Sequence, residues 1–467
     1  MSKDASLRCN GTTPVIIKTL NGSFPFKNQR FSENNCDETS HTYLGLTNQF
    51  EDGYTSEGLK ELSTYYANRL SYEEVEKLVE RTTGKKQLSD QSIQNTVINK
   101  ALEVSKQVES EALSVLEDDN LELPEIAQEV DLYDAQEVLI FVDGIGVKKQ
   151  SESRISSKSA SFELESDTEN DTENAASRVN SNVVLLETKA GDFECITSAI
   201  DKKGEELLPL SEIVKSKVIQ EYGNDVEPLK VVAISDGAKA IRTMLMTIFG
   251  VLIVIILDWY HLCKKVREFM SMIARNKQEK AKHLEFLLYH LWHGQTQEVL
   301  DYLRNKVFAA NKEKLQELIG YIEKHFEPII DYDRRKKAGK EVGVELEEDV
   351  DGIDNQLSSD NEAVKKAGSE RVEEVSDVQN QSSSDVKAVK KVVGSVCCEK
   401  ACDSVIGKRQ KRKAMSFRHV GSRSLAILKV VELNNKWLDI WFPPIASNDL
   451  QRAANDSCCA SELELVA

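Results

Sequence analysis

The chain is expected to be a mixed α/β protein. A small β element and a helical region precede an α/β core, an all-α stretch interrupts that core, and a basic segment completes it. Three features of the 467 residues carry the expectation. Between residues 138 and 260, short apolar runs rich in β-branched residues alternate with helical periodicity in the order β-β-β-α-β-α-β. Residues 262 to 335 are helical in pattern throughout, with Leu262, Val266, Phe269 and Ile273 on one face. Two acidic, polar stretches, 151–178 and 341–386, lack periodicity and read as disordered insertions.

The small β element is assigned to residues 1–55. Positions 15 to 50 alternate apolar and polar around Asn21-Gly22, a pair that takes positive φ readily and signals a two-residue hairpin turn. From Ser56 to Val108 the period becomes helical, through Leu59, Leu62, Tyr66 and Leu70, then Val75, Leu78 and Val79, then Ile93, Val97, Ala101 and Val104. Three helices follow, within a region spanning 56–130. The second opens on Ser71-Tyr72-Glu73-Glu74, where the Ser hydroxyl and the Glu carboxylate can each satisfy a free backbone amide, and it stops at Gly84. Ser89 can cap the third. Two helices joined by a Gly-containing turn, with Lys85, Lys86, Gln91, Gln94, Asn95 and Lys100 on or near the last one, match a DNA-binding helix-turn-helix. Small helical bundles that never touch DNA share the pattern.

The α/β core is placed at 131–261. Val138 to Val142 is a strand ending at Asp143-Gly144, and Asn182 to Glu187 and Phe193 to Ile200 are two more. Leu210 to Tyr222 is a helix, Leu229 to Ile234 a strand ending at Ser235-Asp236-Gly237, Ala238 to Phe249 a helix, and Val251 to Leu257 the last strand. A helical insertion over 262–340, the acidic insert 341–386, a C-terminal catalytic helix with its basic segment over 387–445 and a disordered tail, 446–467, complete the organisation.

With 60 Lys+Arg against 78 Asp+Glu the net charge is −18, which taken alone argues against nucleic acid. The charge is unevenly spread. The stretch 151–178 has 7 acids and 3 bases and 341–386 has 14 and 3, so the two inserts hold −15 of the total. Beyond Glu399 come Lys408, Arg409, Lys411, Arg412, Lys413, Arg418 and Arg423 with no acid among them, either a phosphate-binding helix beside a carboxylate or a solvated charged face. The longest apolar run, Phe249 to Leu257, is about half of what a membrane-crossing helix needs. The N-terminus Met1-Ser2-Lys3-Asp4 has no apolar core of a signal peptide, so the expected location is cytoplasmic, with access to chromosomal DNA and no membrane partner. Nine cysteines in that compartment do not suggest a disulfide framework, and Cys397, Cys398 and Cys402 lack the usual zinc spacing.

Asp143 after the first core strand, Asp236 after the fourth, and an acid on a helix beyond the last strand form the arrangement of an RNase H-like nuclease fold. Such hard oxygen ligands suit Mg²⁺ or Mn²⁺. Asp-Gly pairs are also common plain turns. The blocks Phe141-Val142-Asp143-Gly144, Ile234-Ser235-Asp236-Gly237-Ala238-Lys239-Ala240-Ile241-Arg242, Leu257-Asp258-Trp259-Tyr260-His261, and Glu399 through Val405-Ile406-Gly407-Lys408-Arg409-Gln410-Lys411-Arg412 can be taken together. As a set they resemble bacterial insertion-sequence transposases of the Mutator-like DDE class, close to the Kra-type family common in cyanobacteria. The resemblance spans roughly residues 15 to 444 outside the inserts, including Leu438-Asp439-Ile440-Trp441-Phe442-Pro443.

That resemblance implies catalytic and metal-holding roles for Asp143, Asp236 and Glu399, an all-α insertion before the last acid, and DNA strand cleavage and strand transfer at transposon ends and target, by a homo-oligomer. It implies an auxiliary role for His261 near the scissile phosphate; a structural role beside Trp259 and Tyr260 is the alternative. Asp258 is the rival to Glu399 as third acid, since it too follows a strand. Where relatives have Gly-Ser-Gly and then Arg-Met before the glutamate, this chain has Gly394-Ser395-Val396-Cys397-Cys398. A second functional reading is therefore a catalytically inactive or repurposed transposase acting as a DNA-binding protein.

Overall fold

The computed structural model describes residues 7–33, 36–47, 54–133, 136–150, 178–342, 401–412 and 415–443. It comprises two units, Met1–Ile256 with Cys398–Ala467, and Leu257–Cys397. Of the expected insertions, 151–177 and 343–386 lie outside the described residues, as do the tail 446–467 and Glu399.

The first unit begins with an antiparallel sheet, β1 (Leu7–Thr19), β2 (Gly22–Glu33) and β3 (Cys36–Thr42), followed by a short helical turn α1 (Tyr43–Leu46). The hairpin turn is one residue earlier than expected. Thr19 pairs with Gly22, so Leu20-Asn21 form the loop and Gly22, at φ 115°, opens β2. Thr19 Oγ1 sets this register by accepting the Asn21 N–H at 3.1 Å and donating to the Gly22 carbonyl at 3.0 Å.

Three helices follow: α2 (Glu57–Ala67), α3 (Tyr72–Thr83) and α4 (Asp90–Leu116). Ser56, Ser71 and Ser89 cap their N-termini, Ser71 and Glu74 form the full capping box, and Gly84 ends α3 at φ 75°. Leu59, Val75, Val79, Ile93, Val97 and Ala101 are buried where the three helices meet. The third helix is longer than its expected end near Val108. Ala112 and Val115 continue its buried stripe, and 27 residues at 1.5 Å rise give about 40 Å.

The second sheet comprises β4 (Val138–Lys148), β5 (Arg178–Glu187), β6 (Phe193–Ile196), β7 (Val231–Ser235) and β8 (Val254–Leu257), in spatial order β6-β5-β4-β7-β8. Pairing is antiparallel from β6 through β4 and parallel between β4 and β7. Helices α5 (Leu210–Tyr222) and α6 (Lys239–Phe249) cover one face, where Ile213, Val218, Ile241 and Leu245 pack on Ile140, Val142, Val184 and Ala233. The order β-β-β-α-β-α-β is as expected, but β4 does not end at Asp143-Gly144. It continues to Lys148 because β5 pairs with it from Ile140↔Leu186 to Lys148↔Arg178, and this non-local ladder overrides the local turn signal. The last strand, by contrast, is shorter than expected, starting at Val254 after a 3₁₀ turn over Gly250–Leu252.

After the second unit the chain returns as a wide π turn over Asp403–Gly407 and one α-helical turn, Lys408–Gln410. The basic run is therefore not a continuous helix. Phe417 then pairs with the end of β4, its N–H donating to the Lys148 carbonyl at 2.9 Å and its carbonyl accepting from Gln150 at 2.9 Å. Helix α12 (His419–Leu433) is buried on most of its circumference and packs on β5, β6 and α4, and α13 (Trp437–Trp441) follows.

The second unit is helical: α7 (Trp259–Ile273), α8 (Lys277–Trp292), α9 (Thr296–Lys306), α10 (Lys312–Lys324) and α11 (Tyr332–Lys337). It starts a few residues before the expected 262. Trp259 holds its start, with ring centroids 4.9 Å from Trp292 and 5.1 Å from Tyr332, while the Tyr332 hydroxyl donates to the Leu257 carbonyl at 2.8 Å.

Candidate active site

The last parallel rung between β4 and β7 pairs Val142 with Ser235. Asp143 is the next residue of β4 and Asp236 is the first residue after the end of β7, so both follow directly on that rung. Side-chain alternation puts Val142, Ile140 and Ala233 into the core under α5 and α6. Asp143 therefore falls on the opposite face of β4 with Phe141, and Asp236 opens the loop that leads from β7 into α6. Both are half-buried. Each carboxylate accepts a nearby backbone amide: Asp143 Oδ1 takes the Gly144 N–H at 2.7 Å within β4, and Asp236 Oδ1 takes the Ala238 N–H at 2.8 Å at the start of α6.

The C-terminal segment reaches the same strand. The Cys402 thiol donates to the Asp143 carbonyl at 3.8 Å, a long contact that nevertheless fixes where the turn lies, and the Phe417 bridge anchors the other end of the segment on β4. Cys402 follows Glu399 by three residues, which span at most about 11 Å of chain. Nearby, burial pushes the Cys195 thiol up to about 12, so it is an inert core group rather than a nucleophile.

Two carboxylates, one on β4 and one just after β7, are hard oxygen donors of the kind Mg²⁺ or Mn²⁺ takes. Among the described residues no group of three or more His, Cys, Asp or Glu is arranged to hold a metal ion; the third expected donor, Glu399, is outside them. Its rival Asp258 is 6% exposed and caps α7 by accepting the Tyr260 N–H at 2.8 Å. Its other oxygen lies 3.8 Å from His261 Nδ1, so these two auxiliary candidates face each other at the first turn of α7.

The expected DNA contacts divide into two groups. Lys408, Lys411 and Arg412 are exposed on the turn after the π segment, whereas Lys413 lies outside the described residues. Arg409 does not belong with them. It is 4% exposed, its Nε donates to the Ala67 carbonyl at 2.7 Å, and its guanidinium sits 5.7 Å from the ring centroids of both Tyr72 and Phe417. It joins the C-terminal segment to the end of α2 and the start of α3 and is not available to phosphate. Burial lowers its pKa and pushes that of Tyr72 up to about 12. A signal for this role was present: Arg409 follows Val405 and Ile406 at helical spacing, on their buried stripe.

At the other candidate surface, Lys85 is exposed in the α3–α4 connection and Lys86 pairs with Glu76 at 2.5 Å. Gln91 and Asn95 are exposed on the first turns of α4, where Gln91 Nε2 donates to Asn95 Oδ1 at 2.9 Å. Lys100 is occupied elsewhere, paired with Glu103 at 3.0 Å and 4.8 Å from the Trp441 ring centroid. No helix among the described residues is long and apolar enough to cross a membrane. The chain matches no family model, and no curated protein matches it.

Proposed function

We propose that this protein is a DDE-type DNA transposase with an RNase H-like core, in which Asp143, Asp236 and Glu399 form the catalytic set. The observation that carries this reading is the β4–β7 register: its last rung, Val142↔Ser235, is followed directly by Asp143 on β4 and by Asp236 just past β7, and Cys402, three residues after Glu399, contacts the Asp143 carbonyl. The sheet order, antiparallel on the β6 side of β4 and parallel toward β7, and the helical unit ahead of the C-terminal segment support the same reading.

Asp143, Asp236 and Glu399 would hold Mg²⁺ or Mn²⁺, which when bound would supply electrostatic stabilisation to an in-line phosphoryl displacement. Orienting the carboxylates falls to the chain itself, through the Gly144 and Ala238 amides. Lys408, Lys411, Arg412 and Lys413 neutralise backbone phosphates and give affinity that falls with salt. Choice of transposon end falls to the start of α4, with Gln91 and Asn95 as base-reading groups and Lys85 and Lys86 as phosphate contacts. The partners are transposon ends, target DNA and further copies of the chain.

The test is cleavage of end-containing duplexes in Mg²⁺ by the protein and by Asp143→Asn and Asp236→Asn. Each substitution is expected to lower the cleavage rate at least about a thousandfold, the effect of losing roughly 4 kcal/mol of transition-state stabilisation, with end binding retained. Unchanged cleavage by both variants sinks the proposal. Tight end binding with no cleavage by the unsubstituted protein favours the non-catalytic DNA-binding reading.

A further inference from the structure

The helical unit carries a concentration of positive charge that the catalytic reading does not use. Residues 264 to 282, the end of α7 and the start of α8, hold seven bases and two acids in a chain whose net charge is −18. At about 100° per residue, Leu262, Val266, Met270 and Ile273 fall on one side of α7 and are buried, while Lys264, Arg267 and Ser271 fall on the other. Lys280, from the first turn of α8, joins that outer side by donating to Ser271 Oγ at 2.7 Å. Arg275 and Lys277 extend it around the α7–α8 connection, both exposed.

Two acids share the region, and Glu268, four residues after Lys264, is exposed on the same outer side of α7. Glu268 pairs with Lys265 at 3.6 Å, and Glu279 accepts the Arg275 backbone N–H at 3.0 Å and lies 3.7 Å from His283 Nε2. Among the described residues, Lys264, Arg267, Arg275 and Lys277 have no acidic partner within ion-pair distance. Lys264 to Ile273 covers about 14 Å of helix, close to the rise of four base pairs. Elsewhere on the unit Arg304 pairs with Asp301, Lys314 with Glu317 and Lys337 with Asp333.

We infer that the outer face of α7, with the start of α8, is a second DNA-binding surface that grips the duplex backbone without reading sequence. The inference rests on the proposal that the chain acts on DNA, but it concerns residues other than Asp143, Asp236 and the 408–412 turn. A stripe of unpaired Lys and Arg with few hydrogen-bonding partners of its own suits a regular polyanion, whose condensed counterions it releases. It offers no aromatic or amide array for base edges.

The test measures duplex affinity of the full chain against salt for Lys264→Glu/Arg267→Glu, for the milder Lys264→Gln/Arg267→Gln, and for Lys312→Glu/Lys324→Glu. The last pair changes net charge equally at exposed sites on α10. For the Gln pair, affinity at 50 mM salt is expected to fall about tenfold and the salt exponent by about 1.8, the loss of two phosphate contacts. The Glu pair should lose more, with the same losses at random-sequence and end-containing duplexes, and the α10 pair should lose less than the Gln pair. If the α10 pair weakens binding as much as the α7 Glu pair, the effect is bulk charge and the inference fails. Unchanged affinity in both α7 variants overturns this surface alone, leaving the catalytic proposal standing. No duplex binding by the unsubstituted protein overturns both, and a loss of polyglutamate binding with DNA binding intact would assign the face to acidic protein and overturn it too.

Discussion

His419 is the first residue of α12, and its surroundings oppose a charge on the imidazole. Burial lowers its pKa most, then Lys149 and Arg423, with Glu205 acting weakly the other way. The positive end of the helix dipole opposes a charge as well. A histidine whose folded pKa is depressed is protonated more readily in the unfolded chain, so as pH falls below the ordinary value near 6.5 the unfolded state takes up protons first and folding weakens. Its contribution is thus present at neutral pH and is lost on acidification. His419→Gln should make the melting temperature less sensitive to pH between 7.5 and 5.5 than it is in the unsubstituted chain, measured by thermal unfolding at both pH values. Equal sensitivity in the two proteins would mean that His419 does not titrate in this window. The position matters beyond stability, because the α12 N-terminus directly follows the Phe417 bridge that anchors the C-terminal segment on β4.

Between elements, the junction of α2 and α3 with the turn over Lys408–Gln410 is made by one side chain in a run of otherwise solvent-facing bases. Replacing Arg409 by Met keeps much of the volume but leaves the Ala67 carbonyl without its donor, at a cost of about 2 kcal/mol. Thermal melting should show a drop of several degrees for Arg409→Met. Lys411→Met/Arg412→Met should melt within about a degree of the parent and instead bind DNA more weakly at low salt. The reverse pattern, a stable Arg409 variant with impaired binding, would return Arg409 to the phosphate-contacting group. The helix ends at Ser71, Gly84 and Ser89 were legible from residue type because capping is local chemistry, decided within four residues. What was not legible depended on a distant partner: β4 runs past Asp143-Gly144 because β5 pairs with it across the 151–177 stretch, and α4, which packs on α5 and α12, runs past Val108 with Ala112 and Val115 buried. The same distinction holds in the site. Asp143 and Asp236 could be picked as acids after apolar runs from their own neighbours, yet their following on one rung, Val142↔Ser235, is a property of the β4–β7 register, and the burial of Arg409 beside exposed Lys408 depends on what packs around it.

At the scale of the whole chain, net charge is a poor guide to partners because it sums regions of opposite character. The insert 341–386 contributes −11 and is covalently placed between the helical unit, with its basic α7–α8 stripe, and the basic turn over 408–412. Long-range repulsion acts on any approaching polyanion over a Debye length, about 14 Å at 50 mM salt and about 6 Å at 300 mM. An acidic segment tethered on both sides is also held at high local concentration relative to those cations and competes with phosphate for them. Deleting 341–386 should therefore tighten duplex binding about threefold or more at 50 mM salt, and the gain should vanish by 300 mM, where both repulsion and competition are screened. The Lys264→Gln/Arg267→Gln substitution made in the deleted chain separates the two causes. If the insert competes for the α7 face, the gain on deletion shrinks when those cations are removed; if it only repels at long range, the gain is the same in both backgrounds. A deletion that leaves affinity unchanged at low salt would show that the −11 exerts neither effect, and that the acidic total has no bearing on how this protein meets DNA.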